Sequence, residues 1–313
     1  MKFRTELKIT DEKRELISHK DKIMSIGSCF ASNVQRYLTD RDFTLAANSF
    51  GILFNPVSIA KRIRNAINNT IDKNLFVERD GLWYHYDYHS ITVGDSKAEL
   101  VQFIEANQKE FAQELATTSR LIITLGTAWV YRLISADEIV ANCHKIPQKE
   151  FKKERLDLEE LKTTYIALFN DLKQRNPNLE IIVTVSPVRH IKNGLHQNNI
   201  SKSILLLLTD FLDQNFEYVH YFPAYELVMD DLRDYRFYKA DLIHPNEQAV
   251  DYVFDYFQEI YFSDKTKEIA DLAKKHSLLI AHKPMHPTAN QIAMQRKKEQ
   301  ELATKIQTLK SQT

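Results

Sequence analysis

Short apolar segments alternate along the chain with longer segments in which apolar residues recur every three or four positions. Each short segment is bounded by polar or turn-forming residues, which is typical of a buried strand. The predicted strands are residues 22–26, 43–47, 121–126, 180–188 and 218–223. Strands that alternate with helical patterns indicate parallel βαβ units.

The longer segments predict helices because their apolar residues fall on one face at a period of 3.6. They cover residues 29–38, 56–67, 97–117, 157–174, 200–212 and 245–257. Pro56 and Pro245 stand where a helix begins, a position that tolerates proline. We therefore expect an α/β fold, a three-layer α/β/α sandwich whose central parallel sheet binds ligands at the carboxyl ends of its strands.

Two segments differ from this pattern. Residues 75–95 are rich in aromatic side chains and predict a hairpin or an insertion in the main fold. Residues 291–307 lack glycine and proline and carry many Lys, Glu and Gln, so they predict a helix that is either solvated or pairs with a second copy in a homodimer. The expected organisation is one α/β domain over residues 1–285 and a helical tail over residues 286–313.

Composition narrows the class of partner. Lysines and arginines number 42, and so do aspartates and glutamates. This balance argues against a nucleic-acid binder, which usually carries a basic surplus. Charges interrupt residues 1–8, so no signal peptide is expected, and no stretch approaches the roughly 20 apolar residues that span a bilayer. The two cysteines do not form a disulfide framework. We expect a cytoplasmic protein without membrane or nucleic-acid partners.

The first candidate for chemistry is Ser28, which follows Gly27 at the end of the first predicted strand. A hydroxyl at a strand-to-helix turn projects from the carboxyl edge of the sheet, where helix amides can stabilise an oxyanion. It needs a base, because a serine alone is a weak nucleophile. The alternative is that Ser28 only caps the following helix.

A base is available near the other end of the chain. Asp241 and His244 lie three positions apart, just before a predicted helix. The carboxylate can orient the imidazole and stabilise its charged form, which leaves the second ring nitrogen to face a serine. A capping segment with a surface histidine is the alternative interpretation of the same residues.

Six segments together resemble the GSCFA family. They are residues 26–31 (IGSCFA), 48–56 (NSFGILFNP), 125–129 (LGTAW), 141–145 (ANCHK), 185–189 (VSPVR) and 241–245 (DLIHP). The resemblance implies an SGNH- or GDSL-type hydrolase with a flavodoxin-like fold. It further implies that Ser28 is the nucleophile, His244 the general base and Asp241 its orienting acid. The amides of Ser28 and Gly51 would then donate to the oxyanion.

One position departs from that pattern. SGNH enzymes carry a G-x-N-D block whose asparagine donates to the oxyanion, whereas the corresponding residues here are Gly126 and Thr127, followed by alanine and tryptophan. Loss of such a donor costs about 100- to 1000-fold in turnover. Thr127 and Asn55 are the candidate replacements, and both stay open.

Two other nucleophiles compete with Ser28. Ser96 completes a literal Gly-Asp-Ser, but it also begins a capping box with Glu99, and capping is the favoured interpretation. Cys29 stands where a helix N-terminus can activate a thiol. If Ser28 faces the site, however, its neighbour on the turn is expected to face the core.

Other polar residues carry weaker signals. Cys143, His144, His85 and His89 lack the spacing of a metal site, so neither a metal nor a cofactor is expected. Arg189 follows the strongest predicted strand, at the edge where ligands bind in this architecture. Three interpretations of Arg189 stay open: it binds an anionic group of the substrate, it orients Asp241, or it is a surface residue after a loop.

The expected function is ester hydrolysis, with O-acetyl groups on a carbohydrate as the substrate class suggested by related esterases. The partner is then a small-molecule or carbohydrate ester, and no cofactor is needed. Two alternatives use the same fold. One is a non-catalytic module that binds a glycan or metabolite, and the other is an O-acyltransferase that passes the acyl group to an alcohol instead of water.

Overall fold

The computed structural model describes residues 4–8, 14–47, 51–282, 285 and 288–312. In chain order the elements are β1 (Lys22–Gly27), α1 (Cys29–Thr39), β2 (Thr44–Leu45), α2 (Pro56–Asn68), β3 (Phe76–Arg79), β4 (Leu82–His85), α3 (Lys97–Thr117), β5 (Arg120–Leu125), β6 (Trp129–Leu133), β7 (Glu138–Val140), β8 (Phe151–Arg155), α4 (Leu158–Arg175), β9 (Glu180–Val185), α5 (Leu195–Asn215), β10 (Val219–Phe222), α6 (Ala224–Glu226), α7 (Glu247–Tyr261), α8 (Asp264–Ala281) and α9 (Ala289–Ser311).

A five-stranded sheet forms the centre of the molecule, in the order β10-β9-β5-β1-β2. All neighbouring strands in it are parallel. Counted within this sheet alone, the chain order is 2-1-3-4-5, the order of flavodoxin-like folds. The direction of winding reverses between β1 and β5, and ligands of such sheets bind in the crevice at that point. The predicted three-layer α/β/α sandwich is confirmed.

Strand side chains alternate between the two faces of this sheet, as the period of two requires. One face packs against α2, α3, α4 and α5 through Met24, Ile26, Leu121, Ile123, Leu125, Ile181, Val183, Val185 and Val219. The other packs against α1, α6 and α7 through Ile23, Ile122, Ile182 and Phe222. Helices therefore cover both faces, and the carboxyl edge is left for a site.

Most predicted helices and strands are confirmed, with shifts at their ends. The predicted strand over residues 43–47 pairs only at Thr44–Leu45, at the edge of the sheet. The helix expected from residue 200 already begins at Leu195. Pro245 does not open α7, because Asn246 is the N-cap and accepts a hydrogen bond from the amide of Ala249.

Two small antiparallel sheets lie outside the central one. Strands β3 and β4 form a hairpin within the aromatic segment 75–95, which confirms the hairpin interpretation. Strands β7, β6 and β8 form a second sheet that the sequence pattern did not predict. Its strands carry charged residues, such as Arg132 and Glu154, which pair on the solvent side at 2.8 Å.

The predicted tail helix, α9, packs back against α8. Ile306 is buried there against Ile269 and Ala273, and Lys310 Nζ pairs with Asp42 Oδ2 at 2.6 Å. Residues 283, 284, 286 and 287, where the domain boundary was predicted, lie outside the described residues. Homodimer formation through this helix stays a prediction. Within the described part of the chain, no helix has the length and apolar character needed to cross a membrane.

Candidate active site at the carboxyl edge of the sheet

The turn between β1 and α1 lies against the end of β5. Gly27 has a φ of +134°, and a Cβ on it would lie 2.1 Å from the carbonyl oxygen of Thr124. The next amide, that of Ser28, donates to the same carbonyl at 3.0 Å. Only a glycine permits this close approach, so Gly27 fixes where the following two side chains stand.

The Ser28 side chain is used inside the fold. It is 1% exposed, its oxygen accepts from the Phe30 amide at 3.3 Å, and it lies 3.3 Å from Thr124 Oγ1. The capping role considered for Ser28 is therefore confirmed. Its amide, expected to donate to an oxyanion, instead donates to Thr124. The nucleophilic role of Ser28 stays a prediction, since its hydroxyl is directed to Phe30 and Thr124.

Cys29 is the more accessible residue of the pair. It is the first residue of α1 and is partly buried, whereas Ser28 is 1% exposed. The core-facing orientation of Cys29 was expected only if Ser28 faces the site, and it stays a prediction. Burial raises the pKa of its thiol. The charge of Lys202, the backbone amides of Cys29 and Phe30 and the charge of Lys239 oppose that rise, in this order of size. These groups favour the anion, but burial outweighs them and the pKa of the thiol is raised overall.

Asp241 and His244 form the pair that the sequence predicted. The Nδ1 of His244 lies 2.7 Å from Asp241 Oδ2, and Asp241 Oδ1 accepts from the amides of Ile243 at 2.9 Å and His244 at 3.0 Å. These backbone hydrogen bonds, together with the one from the imidazole, lower the pKa of Asp241 to about 2. An ionised Asp241 requires a proton on Nδ1, which leaves Nε2 as the basic nitrogen.

Two further bases lie at this edge, the buried Lys202 and the partly buried His190. Burial, followed by the charges of Lys202 and His244, lowers the pKa of His190 to about 4. Burial also lowers the pKa of Lys202 to about 7, while a charge on Cys29 raises it. At this edge of the sheet the charge of Lys202 therefore acts on both Cys29 and His190, and the charge of His244 acts on His190.

The loop over residues 51–55 lies between the ends of β1 and β5. The Leu53 amide donates to Gly27 O at 2.8 Å, and the amides of Gly126 and Thr127 donate to Phe54 O at 2.8 and 3.0 Å. A Cβ on Gly126 would lie 2.8 Å from that oxygen. The amide of Gly126, the residue that corresponds to the glycine of the G-x-N-D block, is thus engaged with the loop.

The remaining predicted oxyanion residues have varied surroundings. Asn55 caps α2, with its Oδ1 2.8 Å from the Ser58 amide. Thr127 Oγ1 lies 3.1 Å from Ser201 Oγ and accepts from the Trp129 amide. Gly51 has a φ of +72° and lies beside His89, but residues 48–50 of the same segment lie outside the described part.

Arg189 contacts aromatic rings and not Asp241. Its guanidinium lies over the rings of Tyr238 and Tyr235, 4.5 and 5.2 Å from their centroids. Its amide donates to Ile243 O at 3.4 Å, which ties the end of β9 to the loop that carries the His–Asp pair. An adjoining cavity of about 370 Å³ is lined by Arg189, Asn199, Tyr225, Val228, Met229, Asp230, Arg233, Asp234, Tyr235 and Tyr238.

The competing candidates lie elsewhere. Ser96 caps α3 by accepting from the Glu99 amide at 3.2 Å, which confirms the capping interpretation. His85 Nε2 is 2.9 Å from Asp72 O, and His144 Nε2 is 3.0 Å from His85 O. Among the residues that the structure describes, no group of three or more His, Cys, Asp or Glu side chains is arranged to hold a metal.

Sequence reasoning missed Lys202 and His190 as members of this site. Lys202 lies on the buried face of α5, three and six residues before Leu205 and Leu208, and a charged residue in register with such a face is the signal that could have identified it. His190 follows Arg189, and its chain position at the carboxyl edge could have included it. Neither belongs to a short motif with the other site residues.

Comparison with known proteins is limited to family level. No curated protein matches the chain. The model of the GSCFA family matches residues 22–257, which is well over half of the chain and includes both the β1–α1 turn and the His–Asp pair. The chain therefore belongs to the GSCFA family.

Proposed function

We propose that the protein is an acyl hydrolase in which Cys29 is the nucleophile, His244 the general base and Asp241 the acid that orients it. One observation carries this proposal. A partly exposed thiol at the N-terminus of α1 shares the carboxyl edge of the sheet with a histidine whose Nδ1 is held by Asp241 at 2.7 Å. That combination is the arrangement of a nucleophile with an oriented base.

The reaction would proceed in two balanced steps. His244 Nε2 takes the proton of the Cys29 thiol as the sulfur attacks the ester carbonyl. The tetrahedral oxyanion then collapses to a thioester, and the leaving alkoxide takes the proton from His244. In the second step His244 takes a proton from a water molecule, and the resulting hydroxide attacks the thioester. The acid is released, and His244 returns the proton to the departing sulfur of Cys29. Amides in the first turn of α1 are the proposed oxyanion donors.

Ser28 is the second candidate for the nucleophile, as expected from the resemblance to SGNH enzymes. It would have to leave Thr124 Oγ1 and the Phe30 amide before it could reach His244. Removing it is expected to cost about 1 kcal/mol of stability through the lost cap. The relationship to SGNH hydrolases is itself a proposal, supported by the 2-1-3-4-5 strand order and the place of the His–Asp pair.

A carbohydrate ester is the proposed substrate class. Support comes from the cavity beside the His–Asp loop, which combines three tyrosines, of which Tyr235 is exposed, with two arginines and two aspartates. Aromatic faces and a charge-balanced set of hydrogen-bonding groups suit a neutral sugar, whose alcohol would be the leaving group. Failure to release acetate from any member of a panel of O-acetylated sugars would remove this part of the proposal.

Hydrolysis of p-nitrophenyl acetate by the wild type and by Ser28→Ala, Cys29→Ala and His244→Ala tests the chemistry. We expect Cys29→Ala and His244→Ala each to lose about 100-fold or more of kcat/KM, while Ser28→Ala retains most of it. Iodoacetamide should block turnover in the wild type, and a serine-directed fluorophosphonate should not. Cys143→Ala is the matched control, because Cys143 is also a partly buried free thiol.

The opposite pattern would reassign the nucleophile. Loss of activity in Ser28→Ala with survival in Cys29→Ala would make Ser28 the nucleophile. No turnover and no labelling of the wild type would contradict hydrolysis. The next measurements would then be glycan binding and transfer of an acyl group to an added sugar, the two alternatives that share this fold.

A further inference from the structure

Lys202 is a buried cation placed between two strand ends. Its residue is 1% exposed, and its Nζ donates to Gly126 O and Ser186 O, each at 2.6 Å. Those carbonyls belong to the residues that directly follow β5 and β9. Within the described part of the chain, no carboxylate lies within ion-pair distance of this ammonium.

Burying the ammonium group of Lys202 is unfavourable in free energy unless an opposite charge interacts with it. A buried charge is normally paired with an opposite charge, and two neutral carbonyls compensate it only in part. A hydrophobic side chain of similar length would fill the same space on the buried face of α5 at lower cost. The retained amine therefore indicates a role beyond packing.

The geometry of the two hydrogen bonds restricts what the third position on the nitrogen can do. With two N–H groups directed at carbonyls, the amine cannot turn, and the remaining tetrahedral position carries either a proton or a lone pair. Gly126, whose carbonyl accepts from Lys202, lies against the β1–α1 turn, since a Cβ on Gly126 would be 3.1 Å from Ser28 Cβ. The ammonium is therefore held close to the turn that carries Cys29. The other charged and titratable groups around these two residues are His190 after β9, and Lys239 and His244 from the loop before α7. Among all these groups, Cys29 is the one that becomes an anion.

We propose that Lys202 is a positioning residue whose buried ammonium stabilises the thiolate of Cys29. The catalytic consequence rests on the proposed function, but the electrostatic pairing does not. The amine and the thiol then behave as one coupled pair. Loss of one proton from this pair gives either thiol with neutral amine or thiolate with ammonium, and the two forms carry the same net charge.

This coupling predicts a distinctive pH profile. Burial brings the pKa of Lys202 to about 7. Below that pH the thiolate population should rise tenfold per pH unit. Above that pH the pair has lost one proton, and the ratio of its two forms, thiol with neutral amine and thiolate with ammonium, does not depend on pH. The thiolate population should therefore stay level until the thiol ionises beside the neutral amine. In a variant without the amine, the thiolate population should rise with pH without this plateau.

The rate of Cys29 alkylation by iodoacetamide measures the thiolate directly, between pH 5.5 and 9.5. We would compare the full chain with Lys202→Gln, both in a Cys143→Ser background. Glutamine retains an amide that can donate to the carbonyls but removes the charge. At pH 6.5 we expect Lys202→Gln to alkylate about tenfold more slowly, since an opposite charge nearby lowers a pKa by one or more units. The plateau above pH 7 should also disappear.

Lys239→Gln is the matched control, because Lys239 is an exposed cation that also lowers the pKa of Cys29. Its effect should fade in 0.5 M salt, whereas that of the buried Lys202 should persist. Equal rates and profiles in wild type and folded Lys202→Gln would overturn the proposal. If that variant does not fold, a wild-type profile without a plateau would overturn it as well. Ester turnover enters neither readout, so failure of the proposed hydrolysis would be seen separately.

Discussion

At the residue scale, the candidate site depends on which of two adjacent side chains faces the edge of the sheet. An N-cap side chain must turn toward the amides of its own helix, and Ser28 does so while also contacting Thr124. The first helical residue, Cys29, is then left nearer to solvent. Both candidates were evident in the sequence. The choice between them depends on where β5 lies, which is tertiary information that the local pattern does not contain.

Gly27 should be the least replaceable glycine of the site. Gly27→Ala places a methyl group 2.1 Å from a backbone oxygen at a φ of +134°, whereas Gly81→Ala at a φ of +78° meets nothing within 4 Å. We expect a loss of about 3 kcal/mol or more of unfolding free energy in the first variant, from overlap and strain together. The second should lose about 1 kcal/mol, from strain alone.

Urea unfolding of the two variants separates these contributions, because backbone conformation is unfavourable in both and only one has the steric overlap. Equal losses would mean that the β1–α1 turn can shift away from β5. The close approach would then not be what positions Ser28 and Cys29.

At the element scale, the strands of the central sheet and the helices that cover it follow from periodicity, since each buries one continuous apolar face. The elements that were missed are those without such a face. The strands of the β7-β6-β8 sheet have only three to five residues each, and β8 carries four charged residues in a row, so none of them shows a period of two. Helix α8 has a narrow buried face made mainly of alanines and one isoleucine.

The β3–β4 hairpin should make stability depend on pH through His85. Its Nε2 is directed at Asp72 O and its Nδ1 accepts from the Asp87 amide, so the neutral ring is fixed in place. Burial lowers the pKa of His85 from 6.5 to about 4. The unfolded chain therefore binds more protons between these values, and the stability present above pH 6.5 is lost as the pH falls toward 4.

The loss through this residue should approach about 3 kcal/mol across that window. Urea unfolding of the wild type and His85→Gln at pH 8, 6 and 4 measures it, and the variant should lose less stability on acidification. His190, whose pKa is also lowered to about 4 by burial, should retain its share of the dependence. An unchanged dependence in His85→Gln would show that the ring can be protonated without leaving the fold.

At the scale of the whole molecule, α9 is an addition to the domain and not a part of its core. Its buried contact with α8 is centred on Ile306, and Lys310 reaches back to Asp42 near the end of α1. The sequence predicted the helix but not this contact, because Ile306 and the few other apolar residues of α9 are spread among many polar ones.

Ile306→Asp should release α9 while the rest of the molecule stays folded. Hydrogen exchange of residues 289–311 should become faster in this variant, while β1, β5 and β9 stay protected, because a buried unpaired carboxylate is unfavourable and α9 supports no strand. Met294→Asp, at an exposed position of the same helix, is the control. Faster exchange in the central strands would mean that α9 supports the core. The molar mass of the wild type in solution tests the homodimer predicted from sequence.

The distribution of the site along the chain has a consequence for its appearance during synthesis. Cys29 leaves the ribosome before strand β5, which is followed by the buried Lys202 and finally by His244, near the end of the family-matching segment. A nascent chain therefore carries the thiol well before it carries the proposed base. The proposed hydrolysis then requires nearly the whole matched segment to have emerged and folded, so we expect a shorter nascent chain not to turn over an ester.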